Sequence, residues 1–320
     1  AAELADSIYI QKYVQFQFYG QWTALRRYAN ERGIRIIGDV PIFVAPDSAD
    51  AWADPSIFYI DETGQMTVVA GVPPDYFSPT GQRWGNPLYR WDVLAADGYR
   101  WWIRRIQSVL ELVDVLRIDH FRGFQDYWEI PATEPTAVHG RWLPGPSDAL
   151  FEALAGALGE DLPIIAEDLG MITDEVHALR QRVGLPGMKV LHFAFDGGPE
   201  HEYLPHNYGS NCVVYLGTHD NDTTLGWFSS RGPEERAAVQ RYLGMPGPDH
   251  VGPGAAGPGV VWSLVRLALG SVADMAIVTV QDLLGLGAAA RMNTPGTSSG
   301  NWQWRYPAGA LDDGLAARLG

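Results

Sequence analysis

Three apolar runs in this chain end abruptly in charged side chains. The runs, each followed by its polar residues, are 113–118 with Arg117, Asp119 and His120, 162–166 with Glu167, and 212–216 with His219 and Asp220. A strand covered on both faces is expected to be apolar throughout, and burying an unpaired charge costs several kcal/mol. The pattern therefore predicts three buried strands whose ends open into a pocket.

Strand patterns alternate with helical patterns along most of the chain. The predicted strands are 34–38, 113–118, 162–166, 188–195, 212–216 and 274–280, the last of them ending at Gln281 and Asp282. The predicted helices are 8–32, 95–112, 147–158, 173–183, 233–243 and 260–269. Six strands in such alternation are typical of an α/β barrel, in which the strand ends converge on one face. Asp119, Glu167 and Asp220 are then expected to meet.

Three segments are predicted to lack regular structure. Residues 45–92, 122–146 and 244–259 contain much glycine, proline and polar sequence and little periodicity. Long irregular insertions in compact domains are usually functional or disordered, and the aromatic content of 45–92 argues against disorder. Within this insertion, residues 71–87 are predicted to form an ordered lid that closes with Tyr76, Phe77 and Trp84.

Composition narrows the class of ligand. The formal charge of −15 disfavours nucleic acid and anionic membranes as partners, since both would repel the chain. No run reaches the ~18 apolar residues of a membrane span, and the single cysteine, Cys212, fits a reducing compartment, so a cytoplasmic protein is expected. Twelve Trp, 14 Tyr and 11 Phe, many in polar loops, favour a sugar ligand.

Cofactor and metal chemistry are weakly supported. Residues 285–290 outline a dinucleotide-binding loop, but too little chain follows them, so no cofactor is expected. His120, His219 and the neighbouring acids match no common zinc spacing, so no metal is expected either. Asp39 is a fourth acid at a predicted strand end, where a turn-capping role is equally compatible with its spacing.

Three carboxylates at three strand ends point to glycosidic chemistry. One carboxylate can attack or stabilise the anomeric carbon, a carboxylic acid can protonate the leaving oxygen, and the third can hold sugar hydroxyls. Retention of configuration requires a separation of about 5 to 5.5 Å between the first two, whereas about 9 Å would indicate inversion. Each acid alone has a structural explanation, but the three together favour catalysis.

The motifs resemble those of the amylomaltases, the 4-α-glucanotransferases of the α-amylase superfamily. The resemblance is carried by RIDHFR at 117–122, IAEDLG at 165–170, GTHDN at 217–221, GDVP at 38–41, NTPGT at 293–297 and the segment 71–87. It covers essentially the whole chain. It implies a single catalytic domain over 1–320, a (β/α)8 TIM barrel with insertions, and maltooligosaccharides or starch- and glycogen-derived glucans as substrates.

The resemblance also implies a role for each site residue. Asp119 would be the nucleophile, Glu167 the general acid/base and Asp220 the stabiliser of the transition state, with Arg117 orienting Asp119. The implied substrate-binding residues are His120, His219, Asp39 and Asn293, together with Asp75, Tyr76, Gln82 and Trp84 in the lid over the acceptor side.

Compared with the element order of the family, the chain starts at the helix before the third barrel strand. An N-terminally truncated amylomaltase that lacks the first two strands is therefore expected. Two alternatives stay open at this point: a hydrolase of the same clan, which would differ only in its acceptor, and an inactive glucan-binding fragment.

Overall fold

The computed structural model of the protein describes residues 4–75, 78–245 and 256–320. They belong to two compact units, Ala1–Pro186 and Gly187–Gly320, each of which is considered by itself. A single catalytic domain over 1–320 stays a prediction.

The described residues of the first unit form six α-helices and seven strands. Its helices are α1 (Ala5–Asn30), α2 (Ala49–Ala53), α3 (Trp91–Ala96), α4 (Arg100–Leu110), α5 (Asp148–Leu158) and α6 (Asp174–Arg182). Its strands are β1 (Ile37–Pro41), β2 (Val68–Val72), β3 (Gln82–Pro87), β4 (Val115–Asp119), β5 (Asp126–Pro131), β6 (Arg141–Pro144) and β7 (Ile164–Ala166).

A parallel sheet in the order β1-β4-β7 carries the predicted site residues of this unit. The strand predicted at 34–38 lies further along the chain in the structure. Strand β1 begins at Ile37 and includes Asp39. Asp39 is the register partner of Arg117 on β4, so the turn-capping interpretation of Asp39 is wrong. Parallel pairing brings the carboxyl ends of β4 and β7 to one edge of the sheet. Asp119 is the last residue of β4, and Glu167 directly follows β7.

A second sheet occupies segments that were predicted to be irregular. It is antiparallel, in the order β3-β2-β5-β6, and it draws strands from both 45–92 and 122–146. The prediction of loops there is wrong because pairing between β2 and β5 joins residues about 60 positions apart, which local periodicity does not reveal. The candidate lid, 71–87, therefore begins and ends in strands of this sheet.

Most helices of this unit lie where helices are predicted, but α2 falls within the segment 45–92 that was predicted to be irregular. The helix predicted over 95–112 is two helices, α3 and α4, separated where Gly98 and Tyr99 adopt positive φ values of 71° and 58°. On α4, Trp102 and Ile106 are buried. They join a core rich in aromatic rings, among them Phe121 and Phe124.

Within 187–245 and 256–320, the second unit has five α-helices and three strands. Its helices are α7 (Thr224–Ser230), α8 (Pro233–Tyr242), α9 (Ala256–Leu269), α10 (Val280–Leu283) and α11 (Asp313–Leu319), and its strands are β8 (Gly187–Val190), β9 (Cys212–Tyr215) and β10 (Met275–Ile277). The strands form a parallel sheet in the order β10-β9-β8. Parallel sheets flanked by helices in both units give the chain an α/β fold.

Four features of this unit differ from the expectations. The last strand is shorter than predicted, and Gln281 and Asp282 lie on α10 rather than at a strand end. Helix α7 was missed, and the strand at 188–195 ends at Val190. Most of the predicted connector at 244–259 lies outside the described residues. No described helix is both long enough and apolar enough to cross a membrane.

Candidate active site

Arg117 is held between two carboxylates. Its Nη1 donates to Asp39 Oδ2 at 2.6 Å, and its Nη2 donates to Asp119 Oδ1 at 2.8 Å. The Arg117 side chain is 11% exposed, whereas those of Asp39 and Asp119 are 45% and 48% exposed. Burial by itself lowers the pKa of the guanidinium, but the surrounding carboxylates outweigh it and raise that pKa. The buried cation thus orients Asp119 while leaving it accessible.

Glu167 follows β7 and receives two main-chain amides. Its Oε2 accepts from the His120 N–H at 2.7 Å, and its Oε1 accepts from the Leu169 N–H at 2.9 Å. Burial, and secondly the charge of Asp119, raise the pKa of Glu167 to about 7, although Arg117 and both amides act in the opposite direction. At neutral pH the carboxyl is therefore poised between its acid and its base form, as a proton donor and acceptor requires.

The turn at His120 aims its amide at Glu167. His120 follows β4 with φ of 56°, a left-handed conformation that is uncommon outside glycine. Burial and the charge of Arg122 lower the pKa of its imidazole to about 3, so the ring is neutral. Its Nε2 is buried and has no hydrogen-bond partner in the described part of the chain. Such a nitrogen can bond a ligand hydroxyl.

The predicted lid residues are only partly placed. Gln82 and Trp84 lie on β3, where Trp84 Nε1 donates to Gln82 Oε1 at 3.1 Å. The Trp84 ring contacts His120 edge to face, with the centroids 4.8 Å apart. Asp75 Oδ1 accepts from the Ser78 N–H at 2.7 Å and so closes a turn. Tyr76 and Phe77 lie outside the described residues.

In the second unit, Asp220 is fixed by three neighbours. Its Oδ1 accepts from Asn293 Nδ2 at 2.6 Å, its Oδ2 lies 3.4 Å from His219 Nε2, and its carbonyl accepts from Arg291 Nη2 at 2.6 Å. Asn293 thus holds an acid rather than standing alone as a ligand group. Arg291 was missed, because 71 residues separate it from Asp220 and only the tertiary fold joins them.

A buried chain of polar groups lies beneath the Asp220 turn. Asp282 accepts from the Thr224 N–H at 2.7 Å and from Thr224 Oγ1 at 2.9 Å, and Thr224 Oγ1 in turn lies 2.9 Å from His192 Nε2. The His192 ring is stacked on Trp227, with the centroids 4.6 Å apart. Neither Thr224 nor His192 was singled out from the sequence, because His192 lies within an apolar run and the contact of Thr224 with Asp282 joins residues 58 positions apart.

Gly217 allows the His192 ring to approach the strand that leads to Asp220. A Cβ at position 217 would lie 2.6 Å from His192 Cε1 and 2.7 Å from Nδ1, both closer than real Cβ contacts. We expect Gly217→Ala to lower the free energy of unfolding by about 1–3 kcal/mol and to reduce turnover by moving the Asp220 turn. Urea unfolding and rate measurements check this. Gly209→Ala, where nothing lies within 4 Å, is the matched control; equal effects of the two substitutions would contradict the account.

A metal site and a dinucleotide-binding loop have limited support in the described residues. Within 4–75, 78–245 and 256–320, no three His, Cys, Asp or Glu residues are grouped so that they could hold a metal ion. Residues 285–290 follow helix α10 instead of a strand, so they lack the strand-to-helix context of a dinucleotide-binding loop.

The acids thus fall into two groups. The structure brings together Asp39, Arg117, Asp119, His120 and Glu167 in one unit, and His219, Asp220 and Asn293 in the other. The convergence of Asp220 with Asp119 and Glu167 stays a prediction.

Comparisons with known proteins agree with one another. A family model described as 4-alpha-glucanotransferase matches residues 1–311. The chain is 56% identical over 318 residues to the 4-alpha-glucanotransferase of Thermus thermophilus and 52% identical to that of Synechocystis sp., covering 99% of this chain in each case.

A solved structure also matches along nearly all of the chain. It is the amylomaltase from Streptococcus agalactiae in complex with acarbose, with a TM-score of 0.93, 42% identity and 99% of this chain covered. The chain spans 63% and 61% of the length of the two relatives, and 62% of that amylomaltase.

Proposed function

The chain belongs to the 4-alpha-glucanotransferase family, and we propose that it transfers α-1,4-glucan segments between maltooligosaccharides by a retaining double displacement. The observation that carries this proposal is the pair of carboxyl groups with unlike environments. Asp119 is accessible and ion-paired to Arg117, whereas the pKa of Glu167 is raised to about 7. An accessible, ion-paired carboxylate beside a carboxyl group of raised pKa is the combination that a nucleophile and a general acid require.

In the first step Asp119 attacks the anomeric carbon as Glu167 donates its proton to the leaving 4-oxygen. A covalent glucosyl ester forms, and a shortened glucan departs. In the second step Glu167, now ionised, takes the proton from the 4-hydroxyl of an incoming glucan, which displaces Asp119. Arg117 orients Asp119 for attack by donating to its Oδ1 at 2.8 Å. We assign Asp220 to stabilising positive charge on the sugar in the transition state.

The remaining residues would bind substrate. His120, whose Nε2 is buried without a partner within the described residues, is suited to accept from or donate to a sugar hydroxyl. Asp39 and His219 present exposed polar atoms beside their respective acids. Asp75, Tyr76, Gln82 and Trp84 would cover the acceptor. Exclusion of water by such a lid favours transfer over hydrolysis.

The barrel architecture is also a proposal. We infer that the two parallel sheets are parts of a (β/α)8 barrel to which further strands of a longer protein contribute. Helix α1 supports this, because none of its residues is buried although it carries a run of apolar and aromatic side chains, including Tyr13, Phe16 and Phe18. Uncovered apolar surface of this extent normally marks an interface. A cytoplasmic location stays a prediction.

The proposed activity is tested by incubating the chain with maltotriose and resolving the products. We expect glucose together with a ladder of longer maltooligosaccharides, unaffected by a chelator. Glucose and maltose without a ladder would instead indicate a hydrolase. Binding of maltooligosaccharide without any turnover would refute catalysis by this chain and leave a glucan-binding role.

A further inference from the structure

Trp302 is presented to solvent by an ordered loop. Trp302 is 53% exposed, and its main-chain N–H donates to the Met292 carbonyl at 2.8 Å. The loop before it is closed by Asn301, whose Oδ1 accepts from the Thr294 N–H and whose Nδ2 donates to Thr297 Oγ1, both at 2.9 Å. Hydrogen bonds of Trp302 itself and of the loop before it therefore fix the backbone that carries the exposed indole.

The backbone of Trp302 is strained. Its φ is 62°, in the left-handed region that bulky side chains rarely adopt. Non-glycine residues in this conformation persist only where surrounding contacts enforce it, and they cluster at ligand clamps and active sites. Nothing in the folding of the loop requires an aromatic side chain at this position, since glycine or asparagine would satisfy the same backbone at lower cost.

Trp302 lies beside the Asp220 group. Its ring centroid is 5.2 Å from that of His219, and it lines a cavity of about 190 Å³ together with Thr218, Arg291 and Met292. Pockets for drug-sized ligands measure about 300–1,000 Å³, so this cavity holds a single small ring at most. A longer ligand therefore extends beyond this cavity, and Trp302 is an exposed aromatic ring at its lining.

We propose that Trp302 is a stacking platform for a glucose residue two places along the glucan from the one that contacts His219 and Asp220, and that it sets a preference for longer glucans. The C–H face of a pyranose ring is apolar and flat, so an indole can cover it while the sugar hydroxyls remain in water. This inference rests on the proposed glucanotransferase function and deepens it, since it concerns chain length rather than the reaction itself.

The test compares substrates of increasing length. Trp302→Gly removes the ring and suits the positive φ, whereas Trp302→Phe keeps an aromatic face. For Trp302→Gly we expect the KM for maltoheptaose to rise about tenfold with kcat changed less than twofold, and little change for maltotriose. Trp302→Phe should retain most of the affinity. Trp52→Ala, at another exposed tryptophan (85% exposed), should behave as the unsubstituted chain.

Other outcomes overturn the proposal. A loss that is equal at all substrate lengths and falls on kcat would mean that Trp302 only positions His219. If the unsubstituted chain transfers no glucan, the proposed function fails, and calorimetric titration with maltoheptaose then tests the platform separately. About tenfold weaker binding by Trp302→Gly would still support the platform, whereas equal affinity, or no binding by either protein, would refute it.

Discussion

Asp119→Asn is expected to abolish glucan transfer. An amide oxygen is a poor nucleophile, and the covalent intermediate cannot form without the carboxylate, so a loss of ~10⁴–10⁶-fold in kcat is expected. The substitution is isosteric, and Arg117 keeps its 2.6 Å bond to Asp39, so the fold is expected to persist. Product formation from maltotriose is the measurement, with circular dichroism to confirm folding.

A surface carboxylate supplies the control for Asp119. Asp92 on α3 is 70% exposed and 3.6 Å from Arg90, a pair worth little in water. Asp92→Asn should therefore leave transfer unchanged. A second readout is the titration of Glu167 by NMR: removing the charge of Asp119 should lower the pKa of Glu167 below 7, because that charge is the second cause of its elevation. Transfer by Asp119→Asn at more than a few per cent of the original rate would show that another group is the nucleophile.

Glu167→Gln is expected to reduce transfer by ~10²–10⁴-fold, because the leaving oxygen must then depart without a proton. A substrate with a fluoride leaving group separates the two acids. α-Maltosyl fluoride needs no proton to react, so Glu167→Gln should release one equivalent of fluoride in a burst as the ester on Asp119 accumulates. Asp119→Asn should release none. Glu152→Gln, an exposed position on α5, is the control.

The raised pKa of Glu167 also gives transfer a pH dependence. The first step uses the protonated carboxyl, so kcat/KM should fall as pH rises through about 7. The residual turnover of Glu167→Gln should lack this limb. If the falling limb remains in Glu167→Gln, the proton donor is another residue.

Stability should depend on pH through the same group. The folded-state pKa, about 7, lies above the ordinary value of 4.5, so the folded chain binds this proton more tightly than the unfolded chain does. The associated stability is full below pH 4.5 and is lost as pH rises to about 7, by up to about 3 kcal/mol. Urea unfolding at both pH values, with Glu167→Gln lacking this decrease, is the measurement.

The sequence predicted the strands that carry the three candidate acids because their signal is local. An apolar run that ends in charge is visible within ten residues, and β4, β7 and β9 lie where these runs predict strands. The ion pair of Arg117 with Asp119 could also be anticipated, since residues two apart on a strand face the same side. Family motifs at the same positions added the expected roles.

Tertiary structure alone decided the features that join distant parts of the chain. The antiparallel sheet escaped prediction because pairing of β2 with β5 depends on contacts across about 60 residues. Likewise, 47 residues separate the His120 amide from Glu167, and 73 separate Asn293 from Asp220.

Sequence by itself determined which residue types stand at the strand ends and thus which chemistry is available. The sequence could not determine the protonation states of these residues or the contacts that hold them in place. The pKa of Glu167 depends on how far the folded chain removes the carboxyl from water and on the nearby charge of Asp119, both of which are properties of packing. The same holds for the close approach of His192 to Gly217, which only the packed strands reveal. Local pattern sets the composition of a site, whereas burial and long-range contacts set its electrostatics.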